Sequence, residues 1–262
     1  MARRTAYRKC FVRNATYGGR TEHDTSPTQG DLTMHIVLIG GLWLTSSAWD
    51  AVAPELTALG HTAVPVSLPG QGDGDASATL EDQVAAVLAA VDAAPEPAVV
   101  VGHSAACSLA WLAADARPDK VASVVFIGGF PEEDGATHAD FFEPVDGLMG
   151  FPGWEKFAGP DSDDIDDELK ASIADDMVPV PVGVTRGVVH LQDERRFTVP
   201  GVLICPEFSP AQAKEWIDGG DTPELAKLEK LELVDIDSGH WPMFTQPAAL
   251  AQLLAAAAPT TT

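Results

Sequence analysis

The stretch Pro97-Ala-Val-Val-Val-Gly-His-Ser-Ala-Ala106 decides the fold, because an apolar run ends abruptly in a serine that has small residues around it. The apolar part predicts a buried strand, and the residues from the serine to Ala116 predict a helix. A strand that passes directly into a helix at the serine requires a sharp turn. Such a turn leaves almost no room for side chains two positions before and two positions after the serine. Gly102 and Ala106 meet that demand, so Ser104 is predicted to be a nucleophile exposed above a sheet. The alternative is an ordinary strand-to-helix turn with the serine as N-cap.

The same alternation of apolar strands and helices continues on both sides of this stretch. Short apolar runs that end in Gly, Pro or polar residues predict strands, and longer amphipathic segments with N-caps predict helices. Strands that are apolar throughout are typical of a parallel sheet covered on both faces. The sequence therefore predicts an α/β fold with a mostly parallel, doubly wound sheet. Strands are predicted over 35–40, 62–66, 97–102, 121–128, 199–205 and 231–236, and helices over 47–59, 79–94, 104–116, 210–218, 222–230 and 246–258.

Composition and charge exclude several classes of protein. The 262 residues are 45% hydrophobic and 21% charged, which is typical of a globular chain and not of a disordered one. The sequence has no run of about 18 apolar residues, so it predicts no membrane-spanning helix. The formal net charge is −23, which argues against nucleic acid or an anionic membrane as partner.

The charge also divides the chain. Residues 1–34 hold six basic and three acidic side chains, so the remainder carries a net charge of −26. We interpret residues 1–33 as a disordered leader, an upstream translation start or a remnant of cloning, with a functional basic arm as the alternative. Residues 34–262 are then one domain. Its strand–helix rhythm breaks over about 131–196, which predicts an inserted segment of short helices and loops.

Cysteines and acidic residues suggest neither a disulfide framework nor a metal site. Cys10, Cys107 and Cys205 are widely spaced and form no C-x-x-C pair, which favours reduced thiols and a cytoplasmic location. Cys107 is expected to be a small buried side chain of a helix. The acidic run over 161–168 lacks the spacing of a calcium loop, so we interpret it as a solvated helix start.

A serine nucleophile needs a base, and one histidine is well placed to supply it. His240 follows the predicted strand 231–236 directly, and the loops after parallel strands meet at one edge of the sheet. Ser104 and His240 are therefore expected at the same edge. His103 points away from the sharp turn at Ser104. It is predicted to pack beside that turn or to line a substrate pocket.

From about residue 35 to 258 the chain resembles the α/β-hydrolase superfamily. Three landmarks carry the resemblance: Gly40-Gly41-Leu42-Trp43 after the first strand, the Gly-His-Ser-Ala-Ala elbow over 102–106, and Ser238-Gly-His-Trp-Pro242 near the C-terminus. Gly40 stands where the family usually has His, and Ala106 where it usually has Gly. The resemblance implies a nucleophile, an acid and a histidine base in that chain order. It also implies an oxyanion hole from the backbone N–H groups of Leu42 and Ala105, and a cap over the pocket at 131–196.

The acid of such a triad is less clear from the sequence. The superfamily usually places it after the strand that ends at residue 205, where the only carboxylate is Glu207 and the commonest Asp position holds Phe208. Less often the acid follows the preceding strand, which would nominate Asp134 or its neighbours Glu132 and Glu133. We rank Glu207 first and Asp134 second.

These residues predict a serine hydrolase for a small to medium, largely apolar ester or lactone, with no cofactor or metal. The expected partner is a small-molecule substrate, and neither nucleic acid nor a membrane is expected. The expected pocket residues are Gly41, Trp43, His103 and Trp241. Fold alone does not fix the reaction. A lyase, a perhydrolase or a carbon–carbon hydrolase with the same triad remains an alternative, as does a non-catalytic ligand-binding member of the fold. The oligomeric state is not predicted.

Overall fold

The computed structural model describes residues 33–258, so the predicted leader lies outside the described residues except for Thr33. The strands are β1 (His35–Ile39), β2 (Thr62–Pro65), β3 (Ala98–His103), β4 (Val121–Ile127), β5 (Leu148–Met149), β6 (Val180–Pro181), β7 (Gly201–Cys205) and β8 (Leu231–Asp235). Six of them form one parallel sheet in the order β2-β1-β3-β4-β7-β8, and β5 and β6 form a separate antiparallel pair. The predicted doubly wound parallel sheet is confirmed.

Helices cover both faces of this sheet. The α-helices are α1 (Val52–Ala58), α2 (Leu80–Ala93), α3 (Cys107–Ala116), α4 (Asp167–Asp176), α5 (Val182–Thr185), α6 (Pro210–Asp218), α7 (Pro223–Ala226), α8 (Pro242–Thr245) and α9 (Pro247–Ala256). Short 3-10 helices span Ser46–Trp49, Ser104–Ala106, Trp154–Phe157 and Glu194–Thr198. The predicted start of α2 is confirmed, because Thr79 and Asp82 form a capping box.

Several predicted helices are shorter or more divided than expected. The helix predicted over 47–59 is split into a 3-10 turn and α1, where Pro54 lies in the first turn because it has no N–H to donate. The helix predicted over 222–230 ends at Ala226. Beyond it, Leu228 packs into the core and the Lys230 carbonyl accepts from Gly201 N–H, which starts the pairing of β7 with β8. The short helix α8 was not predicted.

The hydrophobic core lies on both faces of the sheet, and the central strands contribute side chains to both faces. In β3, Val100 packs into the cluster under α2 and α3, whereas Val99 and Val101 pack into the cluster under α1 and α9. Successive strand residues point to opposite faces, so a strand covered on both sides must be apolar at every position. That is why the run before the Ser104 elbow has no polar alternation.

Strand order determines where a site can form. The chain runs outward from β1 to β2, then returns across β1 to β3, so neighbouring connections diverge between β1 and β3. In open α/β sheets, ligands bind outside the carboxyl ends of the strands at such a switch point. The residues that follow β1, β3, β4, β7 and β8 therefore share one edge.

The inserted segment, residues 131–196, connects β4 to β7. It holds β5, β6, α4 and α5, and the β5–β6 pair joins Met149 to Val180. Backbone hydrogen bonds tie its two ends together, since His138 N–H donates to Gly187 O and Ala139 N–H donates to Thr185 O. The break in the strand–helix rhythm thus marks a segment with its own small sheet.

Cys107 and Cys205 are both buried and unpaired, as the sequence predicts for Cys107. Burial raises the pKa of the Cys107 thiol strongly, so this side chain is not poised as a thiolate. Among residues 33–258, no helix combines the length and the apolar character that a membrane crossing requires.

Candidate active site

The elbow serine has a backbone conformation that few side chains adopt. Ser104 is half-buried and starts the 3-10 helix after β3 with φ of +55°, in the left-handed region that costs about 1–2 kcal/mol for a residue with a side chain. A Cβ on Gly102 would lie 2.7 Å from the Ala106 carbonyl carbon and 2.8 Å from Cys107 Cα. Only glycine fits at position 102, which explains the small residue two positions before the serine.

The predicted base and the first-ranked acid are in contact. Nδ1 of His240 lies 2.8 Å from Oε1 of Glu207, and both side chains are only 7% exposed. His240 follows β8 and Glu207 follows β7, so the loops after neighbouring strands bring them together. The carboxylate can only accept, so Nδ1 carries the hydrogen and Nε2 is left to accept a proton.

A glycine pair after β4 brings the serine and the histidine–carboxylate pair to one place. A Cβ on Gly128 would lie 3.2 Å from both His240 Nδ1 and Glu207 Oε2. A Cβ on Gly129, the next residue, would lie 3.0 Å from Ser104 Cα. The three predicted triad members therefore surround one dipeptide, which has no side chain to separate them.

The electrostatic surroundings favour the charged form of His240. Burial by itself lowers the pKa of His240, but the charge of Glu207, the hydrogen bond that His240 donates to Glu207 and the charge of Asp161 outweigh it and raise the pKa. An imidazole with a raised pKa accepts a proton more readily. The pair is thus suited to take a proton from a nearby hydroxyl.

His103, expected as packing or pocket lining, is buried and holds the loop of His240. Its Nε2 donates to the His240 carbonyl at 2.8 Å, because a carbonyl can only accept. Burial and the neighbouring His240 lower the pKa of His103 to about 3, so it stays neutral. The ring fixes the backbone of the base.

The acidic run, predicted to be a solvated helix start, has two parts. Its end begins α4, where Asp166 Oδ1 accepts from Leu169 N–H. Its start packs against the histidine loop instead: the Asp161 carbonyl accepts from His240 N–H at 2.8 Å, and Asp164 Oδ2 accepts from Gly239 N–H at 2.8 Å. Burial raises the pKa of the Asp161 carboxyl to about 6, with Glu207 adding to the shift. The sequence carried no signal for this contact, since the two segments are some 75 residues apart.

The loop of residues 41–44, called the oxyanion loop after the role that the family resemblance implies for it, lies against the serine. A Cβ on Gly41 would lie 3.0 Å from Ser104 Cβ. Leu44 N–H donates to Gly41 O at 3.3 Å, and Trp43 has φ of +68°, as a turn with a left-handed third residue requires. The N–H of Leu42 has no acceptor among the described residues. The N–H of Ala105 belongs to the first turn of a helix, where N–H groups lack a helical partner.

The second-ranked acid, Asp134, is engaged elsewhere. Asp134 Oδ1 accepts from Leu191 N–H at 2.9 Å within the inserted segment. The backbone N–H of Glu132 donates to Ser108 Oγ at 3.0 Å. Phe208, at the position where an Asp is commonest, stacks on Phe130 with ring centroids 5.6 Å apart. The structure therefore brings Glu207, and not Asp134, to the histidine.

An aromatic cluster joins the oxyanion loop, the inserted segment and the histidine loop. Phe157 lies 6.0 Å from Trp43, 5.2 Å from Trp241 and 6.4 Å from the His240 ring between centroids. Phe142 and Phe151 complete it against Trp43 at 5.9 and 5.4 Å. The surroundings of the site are thus apolar and contributed largely by the inserted segment.

The arrangement suits proton transfer and nucleophilic attack by a serine in a largely apolar setting. Within residues 33–258, no group of three or more His, Cys, Asp or Glu side chains is arranged to hold a metal ion. A buried imidazole paired with a carboxylate near a half-buried serine is an arrangement that can activate the serine.

Comparison with known proteins gives consistent matches. The model of the alpha/beta hydrolase family matches residues 36–253. Methylesterase 7 of Arabidopsis thaliana is 26% identical over 246 residues, which cover 83% of this chain and 94% of the relative. Lipase LipV of Mycobacterium tuberculosis is 26% identical over 247 residues, which cover 84% and 91%.

Solved structures share the fold at lower identity. An extracellular alpha/beta-hydrolase from a Paenibacillus species has a TM-score of 0.68 at 21% identity, covering 86% of this chain and 99% of that one. The methylesterase MES16 from Arabidopsis has a TM-score of 0.67 at 17% identity, covering 86% and 98%.

Proposed function

Because the chain belongs to the alpha/beta hydrolase family, we propose that it hydrolyses carboxylic esters with Ser104 as nucleophile and His240 as general base. One observation carries the proposal. The buried, hydrogen-bonded His240–Glu207 pair lies against Gly128, and Ser104, which has a positive φ, lies against the next residue, Gly129. The names of the relatives, a methylesterase and a lipase, support the same reaction class.

The first half of the reaction forms an acyl-enzyme. Nε2 of His240 takes the Ser104 proton, and the alkoxide attacks the ester carbonyl carbon. Glu207 stabilises the resulting imidazolium and holds its Nδ1–H. The N–H groups of Leu42 and Ala105 donate to the oxyanion. As the intermediate collapses, the bond to the alcohol oxygen breaks and His240 returns the proton to the leaving alcohol.

The second half releases the acid. Water enters, His240 removes its proton, and the hydroxide attacks the acyl carbonyl through the same oxyanion contacts. The bond to Ser104 breaks and the serine regains its proton from His240. The net reaction consumes one ester and one water and yields one acid and one alcohol, with no cofactor.

The substrate class follows from the walls of the site. We take it to be a small to medium, largely apolar ester or lactone, because Phe157 packs against His240 and is itself surrounded by Trp43, Phe142 and Phe151. A net charge of −23 disfavours anionic substrates. The inserted segment, 131–196, acts as a cap on the domain of residues 34–262, since it supplies three of these rings.

Turnover of p-nitrophenyl acetate and butyrate tests the proposal. Wild-type protein is compared with Ser104→Ala and His240→Ala, and each is expected to lose at least about 10³-fold in kcat. Ser123→Ala is the matched control, because Ser123 lies near the start of β4 and donates to Ala257 O. Wild-type turnover no faster than that of Ser104→Ala would show that the reaction, or the nucleophile, is wrong.

A further inference from the structure

A buried glutamine holds the oxyanion loop through two of its backbone carbonyl groups. Gln71, only 6% exposed, donates through Nε2 to the Gly41 carbonyl at 3.1 Å and to the Leu44 carbonyl at 2.7 Å. It comes from the Gly- and Pro-rich loop that follows β2, and sequence analysis did not single it out. One side-chain amide therefore joins both ends of the loop that faces Ser104.

A second buried glutamine fixes the orientation of that amide. Gln83 of α2, fully buried, donates through Nε2 to Gln71 Oε1 at 3.2 Å and to Pro69 O at 2.9 Å. If the Gln71 amide were flipped, its oxygen would face two carbonyl oxygens and its NH₂ would face the NH₂ of Gln83. Only one orientation satisfies the hydrogen bonds, so the contact to the loop is specified.

The hydrogen bond from Gln71 to Gly41 acts on the proposed oxyanion donor, the Leu42 N–H, through a single peptide group. The Gly41 carbonyl and the Leu42 N–H belong to the same peptide group, and in a planar trans peptide they point in opposite directions. Fixing the carbonyl against Gln71 therefore also fixes the direction of the N–H on the other side of the peptide plane. The Gly41 end of this peptide lies against the serine, since a Cβ on Gly41 would lie 3.0 Å from Ser104 Cβ. A hydrogen bond to the carbonyl also polarises the peptide and strengthens its N–H as a donor.

The loop needs such support because its conformation is strained. Trp43, a bulky residue, has φ of +68°, where glycine or asparagine is usual. The inserted segment supplies two hydrogen-bond partners for Trp43. The indole Nε1 of Trp43 donates to Met149 O at 3.1 Å, and the Trp43 carbonyl accepts from Val178 N–H at 2.9 Å. The segment thus fixes the third residue of the loop, while Gln71 fixes its first and last.

We propose that Gln71 is a positioning residue for ester hydrolysis, which aims the Leu42 N–H at the oxyanion without touching the substrate. The inference rests on the proposed function, and it adds a residue to that machinery. Removing an oxyanion donor outright costs about 10²–10³ in kcat, so misdirecting one by losing its support costs less.

Gln71→Met tests it, since Met has a similar length and no donor. With p-nitrophenyl butyrate we expect kcat to fall about 10- to 100-fold while KM stays within about twofold, because the lost contact acts in the transition state. The inhibition constant of an alkyl trifluoromethyl ketone, which forms a tetrahedral adduct, is expected to rise by the same factor as kcat/KM falls. The conservative variant Gln71→Asn, which keeps the amide on a shorter stem, is expected to fall between Met and wild type.

Two further variants separate positioning from general destabilisation. Gln83→Met removes the partner of the Gln71 amide and is expected to lower kcat in the same direction by a smaller factor, which also serves if Gln71→Met does not fold. Ser123→Ala removes a hydrogen bond to a backbone carbonyl far from the loop and is expected to leave kcat unchanged.

The outcomes are distinct. An unchanged kcat in folded Gln71→Met, a fall in kcat without weaker ketone binding, or an equal fall in Ser123→Ala would overturn the inference. Wild-type protein without Ser104-dependent turnover would instead overturn the proposed function, and the inference with it.

Discussion

Replacing Glu207 by Gln removes one charge from the centre of the site while keeping the shape of the side chain. Oε1 of Glu207 lies 2.8 Å from His240 Nδ1, and both side chains are 7% exposed, so little solvent screens the pair. The variant can still hydrogen-bond to the ring. What it cannot do is stabilise the imidazolium that forms as Ser104 loses its proton.

The magnitude follows from the geometry. Unit charges centred about 4 Å apart interact by about 4 kcal/mol at an effective dielectric of about 20. Each ~1.4 kcal/mol of transition-state stabilisation is tenfold in rate, so kcat is expected to fall about 10³-fold. The pH profile changes as well. The contacts with Glu207 raise the pKa of His240 above its ordinary value of 6.5, so the acid limb of kcat/KM in wild type is expected above pH 6.5.

Without Glu207 the balance reverses, since burial lowers the pKa of His240 and only Asp161 still raises it. The acid limb in Glu207→Gln should move to lower pH while the plateau rate falls. Initial rates with p-nitrophenyl butyrate from pH 4.5 to 9 measure both, with buffers overlapped and stability checked at each pH. Asp134→Asn is the matched carboxylate control and should stay within about threefold of wild type. A limb that stays in place or moves to higher pH, or a larger loss in Asp134→Asn, would refute the assignment.

Two further changes test the packing that supports the site. Arg196 is buried and paired with Asp115 at 3.2 Å and Glu224 at 3.1 Å, so Arg196→Met is expected to lower the free energy of unfolding by about 3–5 kcal/mol in urea titrations while folded protein keeps its kcat; a loss below about 1 kcal/mol would contradict this. Trp43→Phe removes the hydrogen bond to Met149 O and should cost about 1–3 kcal/mol by the same titration, together with a raised KM; unchanged values would show that the inserted segment does not depend on this bond.

The sequence predicts the sheet and the elbow well because their signals are local. A largely apolar run such as 98–103 predicts a buried strand. The small residues Gly102 and Ala106, two positions on either side of Ser104, indicate one sharp turn. Helix boundaries were less well predicted. Pro54 bears on where α1 begins and the packing of Leu228 on where α7 ends, and the second of these depends on tertiary contact.

The supports of the site could not be predicted, because they are side-chain contacts between distant segments. Gln71 lies in a Gly- and Pro-rich stretch whose sequence predicts only a loop, although its amide is buried against the oxyanion loop. Asp161 and Asp164 appeared as a solvated run, although the backbone of one and the carboxylate of the other hold the histidine loop. The sequence ranks Glu207 only by its place after a strand, because its contact with His240 depends on how the loops after two strands pack together.

Covalent labelling by a fluorophosphonate, followed by peptide mass spectrometry, tests the central claim most directly. The account predicts one stoichiometric adduct, on Ser104, that forms rapidly in wild type, slowly in His240→Ala and at the wild-type rate in Ser123→Ala. No adduct on folded wild-type protein, or an adduct on another serine, would contradict the assignment of Ser104 as the activated nucleophile.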